Sequence, residues 1–355
     1  MAYKPRALIL FSGGLDSILA ARLVLDQGCE LQGVNFYTTF TGDDPALFSS
    51  ANDQKSIDLK PASSAHLAAK ELGMPLLNLD LTKAFSEILQ HPKYGFGVAM
   101  NPCLDCKLFF IQKAYKLMQD LQLDFLVTGE VVGQRPMSQR KDTLPLAIPL
   151  TSNRIVRPLS AKLLPISYPE EVGWLDRNKL LGISGRRREE QLALAKQLGL
   201  KYVPQPAGGC LLTDAAFSNR LRDFLKRFPS SSYDAATLQL LKVGRHLALS
   251  DTLKVIVGKT AAENSWLQQH KLVRFWAEIA DYPGATVVLQ PSDAFKDLPP
   301  DVLNLVAKLA VHFSKARDQI ASTPCKVHFY NRRSLILTLP VTKALDPATL
   351  SQWYL

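Results

Sequence analysis

No apolar run in the chain approaches the ~20 residues that a membrane-spanning helix needs, so nothing in it reads as a bilayer-crossing segment. The first strand-like stretch follows almost at once on the N-terminus, and no secretory leader is visible; the expectation is a cytoplasmic protein with no membrane partner. Cysteine is scarce and odd in number, five in 355 residues, which argues against a disulfide scaffold. The six histidines are scattered, and none has the spacing of a metal site. No Gly-Lys-Ser/Thr follows a glycine loop, so the chain carries no Walker motif. Acidic side chains are outnumbered, 32 against 42 Lys and Arg, for a net charge of +10. That balance suits a polyanionic partner, because each phosphate neutralised releases counterions. Internal repeats and low-complexity tracts are absent as well.

Hydrophobic residues make up 47% of the chain, enough for more than one core. From the start to residue 128, short apolar runs at 7–11, 31–36, 76–79 and 125–128 alternate with helix-like stretches near 18–25, 65–72 and 108–121. Such alternation predicts an α/β fold, a doubly wound parallel sheet with helices on both faces and its ligand at the carboxyl ends of the strands. A polar stretch, 38–60, reads as a functional or mobile loop. A basic extension over 157–228 carries helical stretches near 189–198 and 215–226 and closes the first domain, 1–228. The stretch 229–233 reads as a boundary. Beyond it, over 235–355, strands at 254–257, 273–277, 286–289, 326–330 and 335–339 with one long helix over 300–320 predict a smaller α+β domain.

Ser12-Gly13-Gly14-Leu15-Asp16-Ser17 separates the first apolar run from the first helical stretch. A glycine turn leading into a helix aims backbone N–H groups and the helix dipole at an anion, which suits phosphate. Ser12 and Ser17 add hydroxyl donors, and Asp16 is a candidate holder of Mg2+ on those phosphates. The segment resembles the SGGxDS loop of the PP-loop ATP pyrophosphatases, which adenylate a substrate and release pyrophosphate.

Asn101-Pro102-Cys103-Leu104-Asp105-Cys106-Lys107 reads as a loop entering a helix, whose positive end favours thiolate. Cys210 ends a glycine turn, Pro206 to Gly209, where packing does not call for cysteine. Structural zinc wants a fourth ligand, and none has a claim to the place. Two readings stay open: Cys103, Cys106 and Cys210 ligate a [4Fe–4S] cluster with one open iron, or Cys106 and Cys210 are a nucleophile and resolving pair using a persulfide. Cys29 and Cys325 read as buried small hydrophobes.

Residues 103–107, Thr128-Gly129-Glu130-Val131-Val132-Gly133-Gln134, Ser138-Gln139 and Arg157-Pro158-Leu159 resemble the catalytic domain of tRNA 4-thiouridine synthases. One extra residue stands between Gln134 and Ser138. Asn101-Pro102 and Gly209-Cys210 are also similar to tRNA 2-thiouridylases, in which an aspartate commonly stands where this chain has Cys103. The resemblance covers roughly residues 5–225. It implies ATP and Mg2+ as cofactors, Gly129 beside the nucleotide, and a [4Fe–4S] cluster on the three cysteines. It also implies tRNA as substrate and a sulfur donor that is a cysteine desulfurase or inorganic sulfide. The product it favours is 4-thiouridine, with 2-thiouridine by a cysteine persulfide as the alternative. Lys107 and Arg135 are candidates to stabilise charge developing at an activated carbonyl. A reading of another class is a non-catalytic RNA- or ribosome-binding protein whose PP-loop domain senses nucleotide.

Residues 257–267, Phe275-Trp276, the turn Pro283-Gly284-Ala285 and Ser314-Lys315-Ala316-Arg317 resemble the RNA-binding module of NFACT proteins. Lys259, Asn264, Lys315 and Arg317 are the RNA-binding candidates there, with Arg332 and Arg333 as further phosphate contacts. Trp266 or Trp276 is a candidate to stack on a base, with core the favoured reading of Trp276. In the first domain the knot Arg186-Arg187-Arg188 is a third candidate for RNA phosphate, and Arg140, Lys141, Arg154, Arg157 and Lys162 add to the basic character.

Overall fold

The computed structural model describes residues 3–40, 64–204, 209–228, 235–290, 299–320 and 324–355. Most of the polar stretch 38–60, the boundary 229–233 and Pro206 lie outside the described residues. The chain divides into two compact units, the first running to Thr213 and the second taking up from Asp214.

The first unit contains β1 (Arg6–Leu10), α1 (Leu15–Leu25), β2 (Glu30–Tyr37), α2 (Ser64–Glu71), β3 (Leu76–Asp80), α3 (Thr82–Gln90), α4 (Cys103–Asp120), β4 (Phe125–Thr128), β5 (Ile155–Val156), α5 (Tyr168–Glu171) and α6 (Glu189–Gln197). Its five strands are all parallel, in the order β3-β2-β1-β4-β5. This is the predicted doubly wound sheet. Apart from Arg6 and Thr128, β1 and β4 are apolar, because both faces are covered. Ala7, Ile9, Phe125 and Val127 pack with Ile18, Val24 and Ala65 on one face, and Leu8 and Leu126 pack with Ile111, Ala114 and Met118 of α4 on the other. Cys29 lies in the first of these layers, as expected. The chain leaves β1 toward β2 but returns to pair β4 on the opposite side, so the loops after β1 and β4 diverge at their carboxyl ends. That switch point is where such sheets hold ligands.

The second unit contains α7 (Ala215–Arg227), α8 (Ala235–Leu240), β6 (Arg245–Ala248), β7 (Lys254–Val257), α9 (Ala261–Gln269), β8 (Phe275–Ile279), β9 (Val287–Gln290), α10 (Pro300–His312), β10 (Cys325–Asn331), β11 (Ser334–Val341) and α11 (Pro347–Ser351). Its six strands run antiparallel in the order β11-β10-β8-β9-β7-β6. Alternation along the strands divides two layers. Val255, Val257, Ala277, Val287 and Phe329 face Val306, Ala310 and Val311 of α10, while Ile256, Trp276 and Val288 face Leu267 of α9. Trp276 is a core residue, as its setting predicted: it stacks on Tyr330 at 4.1 Å and its Nε1 donates to Arg332 O at 2.8 Å.

Two sequence expectations change here. The helix expected over 300–320 stops at His312, and beyond it Ser314 bridges to Gly284 and Lys315 N donates to Pro283 O. Helix α7 clusters with the second unit. Its Arg220 Nη1 donates to Leu241 O and its Asp223 accepts from Lys254 Nζ at 3.1 Å and Arg227 Nε at 2.8 Å. Burial brings the Lys254 ammonium down to about 8, with Asp223 opposing. Because this lysine holds its proton less tightly folded than unfolded, its part in stability rises with pH from about 8 to 10.5. Asp223→Ala strands the buried ammonium and is expected to cost about 3–5 kcal/mol in urea unfolding, whereas Lys254→Met is expected to be near neutral. Equal losses would contradict this.

Candidate functional site

Gly13 has φ +73°, and a Cβ there would lie 2.4 Å from Ala65 N. The loop after β1 therefore runs tight against the start of α2, and only glycine fits. Helix α1 starts at Gly14 with no side-chain cap, although Ser12 Oγ lies 3.4 Å from Gly14 N. Ser17 Oγ turns back to donate to Gly14 O at 2.8 Å. The loop after β4 closes on the same turn. A Cβ on Gly129 would come within 2.6 Å of both Asp16 C and Ser17 N, which explains glycine at that position.

Asp16 Oδ2 accepts from Gln134 Nε2 at 2.8 Å, while its buried Oδ1 has no hydrogen-bond partner. Burial pushes the Asp16 carboxyl up, opposed by the Gln134 amide and by the charges of Arg188 and Arg135. Arg188, the half-buried member of the arginine knot, acts by its charge on Asp16. Arg186 and Arg187 are exposed. The turn carrying them is tied to the loop after β4, through Gly185 N to Val132 O at 2.8 Å.

Glu130 is buried between two cations, Arg157 Nε at 2.9 Å and Lys107 Nζ at 3.7 Å, and accepts from Thr128 Oγ1 at 3.0 Å. Burial acts to raise its carboxyl, yet Lys107 and Arg157 outweigh that and hold it below the usual range. Arg157 is consequently an internal ion-pair partner rather than part of a basic surface, and its Nη2 also donates to Leu144 O. Lys107 remains partly exposed and projects from the first turns of the helix that begins at Cys103.

Cys103 and Cys106 lie inside that helix, not on a loop before it. Asn101 Nδ2 donates to Cys103 Sγ at 3.1 Å. Backbone bonds carry the segment with Cys210 to the same place: Met100 N donates to Leu212 O at 3.1 Å, and Leu211 N to Phe40 O at 3.1 Å. Burial pushes the Cys106 thiol up to about 12, with Cys210 and Cys103 adding to the shift and Lys107 and Arg135 opposing it. The three sulfurs are therefore electrostatic neighbours. Cys210 is the exposed one. Burial pushes the Cys210 thiol up as well, but Cys106 is the less exposed of the two, so iodoacetamide at pH 8 is expected to alkylate Cys210 faster than Cys106, read by peptide mass spectrometry. Equal rates would contradict the high Cys106 thiol.

Among the described residues, no group of three or more His, Cys, Asp or Glu is arranged to hold a metal ion. The iron–sulfur ligand set expected on Cys103, Cys106 and Cys210 is thus not formed among the described residues. Cys106 is half-buried with its thiol pushed up to about 12, and Cys103 Sγ accepts from Asn101 Nδ2 at 3.1 Å. Nor does Asp16 belong to a formed metal site among these residues.

In the second unit Lys259, Lys315, Arg317, Arg332 and Arg333 are exposed. Asn264 is committed to backbone: its Oδ1 accepts from Thr286 N at 3.0 Å and its Nδ2 donates to Gly284 O at 3.1 Å. The Trp266 ring lies 4.5 Å from that of His270. Sequence reasoning named Gln134 and Glu130 only as motif positions. The Gln134–Asp16 hydrogen bond and the buried Glu130 ion pairs give them work to do, and only the distant partners could have signalled it.

The fold is a five-stranded parallel α/β unit of the HUP kind followed by a six-stranded antiparallel-sheet unit. Residues 5–153 match the family model of the tRNA methyl transferase HUP domain, and residues 244–354 that of the NFACT protein RNA binding domain. The chain thus joins a HUP domain of this type to an NFACT-type RNA-binding domain. It is similar to the tRNA-specific 2-thiouridylase MnmA of Symbiobacterium thermophilum, 30% identical over 36% of this chain and 34% of the relative. The MnmA of Natranaerobius thermophilus is 23% identical over 54% and 56%, and that of Thermus thermophilus 27% over 86% and 79%. The chain spans about a third and about half of the first two relatives. No helix among the described residues is long and apolar enough to cross a membrane.

Proposed function

We propose that the protein is an ATP-dependent tRNA sulfurtransferase that replaces a uridine carbonyl oxygen by sulfur. The observation that carries this reading is the loop after β4: its Gln134 donates to Asp16 at the glycine turn at 2.8 Å, and its Glu130 pairs with Lys107 of the cysteine helix at 3.7 Å, so one loop braces the nucleotide and sulfur halves of a single site. The motif likeness favoured the C4 carbonyl, but the relatives above are named 2-thiouridylases, which favours C2.

Mg·ATP is bound as substrate, its phosphates against the loop of Ser12, Gly13 and Gly14 and the start of α1, with Gly129 closing the turn and Ser17 bracing it. Asp16, whose Oδ1 has no hydrogen-bond partner, would hold the cation that the phosphates carry. The uridine O2 attacks the α-phosphorus, the bond to the β-phosphate oxygen breaks, and pyrophosphate leaves. Arg188 and Arg135 offset the charge that collects on the departing phosphates. Lys107, fixed by Glu130, does the same at the activated carbonyl.

Sulfur arrives on Cys210 as a persulfide from a donor of the cysteine desulfurase type. Its terminal sulfur attacks C2 and AMP leaves with the oxygen. The Cys106 sulfur then attacks Cys210 Sγ, the bond to the transferred sulfur breaks, and 2-thiouridine departs. The Cys106–Cys210 disulfide that remains takes two electrons from a dithiol reductant. No step needs iron. The exposed bases of the NFACT-type domain, Lys259, Lys315 and Arg317, contact RNA phosphate, as do Arg186 and Arg187, while Asn264 shapes the loop that presents them.

Pyrophosphate release from ATP, assayed with and without unmodified tRNA, tests this reading. Release that depends on tRNA supports it. Nucleotide binding without release, with RNA bound, would favour the non-catalytic sensor.

A further inference from the structure

Immediately before the cysteine helix, the loop around 91–100 presents apolar side chains to solvent. Tyr94 is 41% exposed, Phe96 41% and Val98 fully. Glycines 95 and 97 separate them. Exposed aromatics on a loop are common, but this loop is hydrogen-bonded to residues of the site itself. The carboxylate of Asp105, between the two cysteines, accepts from Lys93 N and Tyr94 N, each at 3.0 Å. Gly97 N donates to Asn101 O at 3.0 Å, and a Cβ on Gly97 would meet Asn101 Nδ2 at 2.4 Å. Asn101 is the residue that engages Cys103. The loop and the sulfurs thus share two fixing residues, Asp105 and Asn101, and neither is spent on a metal.

We infer that Tyr94 and Phe96 form a platform on which an unpaired nucleobase of the RNA stacks beside the cysteines. The inference rests on the proposed tRNA reading and deepens it. A uridine must leave its neighbours before its C2 can meet a sulfur, and a preordered aromatic surface repays the lost stacking. Charge agrees with that occupant. Lys93 Nζ lies 5.3 Å from the Tyr94 ring centroid, and Lys107 and Arg135 stand by the adjoining sulfurs. An aromatic face takes any base, so the loop supplies position and not sequence choice.

The test is photocrosslinking of the full chain to a short single-stranded oligouridylate carrying 5-iodouridine, with crosslinked peptides mapped by mass spectrometry. Crosslinks at Tyr94 or Phe96 are expected. They should fall by at least about tenfold in the Tyr94→Ala, Phe96→Ala double variant and persist in Tyr94→Phe. ATP binding to the double variant serves as the folding check. Crosslinks confined to 244–354, or unchanged loop crosslinks in the double variant, overturn the platform while leaving the RNA reading standing. No crosslink anywhere in the wild-type chain overturns both. Loss in the double variant of binding to a persulfide-donor protein, with RNA crosslinks intact, would assign the loop to protein instead.

Discussion

Replacing Cys210 by alanine is expected to reduce sulfur transfer to background while leaving tRNA affinity and ATP binding intact. The thiol is the exposed one of the three and is tethered to the cysteine helix by backbone bonds at Leu211 and Leu212. On the proposed reading its removal takes away the atom that carries the transferred sulfur. Cys106→Ala is expected to differ in form. The first sulfur still reaches C2, but without a resolving thiol the RNA stays joined to Cys210 through a disulfide, visible on a non-reducing gel. Multiple turnovers by Cys210→Ala would remove that residue from the chemistry.

Gly129→Ala is expected to lower kcat/KM for tRNA-dependent pyrophosphate release by about 100-fold. The added methyl would meet the backbone of Asp16 and Ser17 at 2.6 Å, and backbone does not swing aside as a side-chain tip does. The start of α1 must shift, and a displacement of about 1 Å in a positioning element costs on the order of 100-fold. The strain itself is about 1–3 kcal/mol, so the variant should fold. Gly182→Ala, whose Cβ would meet only side-chain atoms at 3.5 Å or more, is the matched control and should retain full activity. Wild-type kinetics in Gly129→Ala would show that the two loops do not bind nucleotide together.

The parallel sheet was legible because its central strands are buried on both faces and so read as unbroken apolar runs: residues 125–128 coincide with β4, and 7–11 overlap β1. Where burial and backbone part company, reading failed. The helix expected to reach 320 ends at His312, yet Ala316 and Ile320 remain buried, so the apolar pattern outlasts the helical hydrogen bonds. Strand β6 was hidden by its composition, since Arg245 and His246 carry polar groups that the fold satisfies through Gly258 O and Val243 O. The start of α4 was missed because Pro102 and two cysteines look like a loop. The glycine turn and the cysteines were visible as individual motifs. Their joining by the loop after β4, through Gln134 to Asp16 and Glu130 to Lys107, was not, because it depends on separate segments reaching one end of the sheet.

The central claim is that one site both activates a tRNA uridine with ATP and delivers sulfur to it. Its most direct test is nucleoside mass spectrometry of unmodified tRNA incubated with the protein, Mg·ATP, a persulfide donor and a dithiol. The account predicts 2-thiouridine accumulating in step with AMP and pyrophosphate. Thiolation at C4 would overturn the assignment of position, and ATP consumption unaffected by tRNA with no thiolated nucleoside formed would contradict the account as a whole.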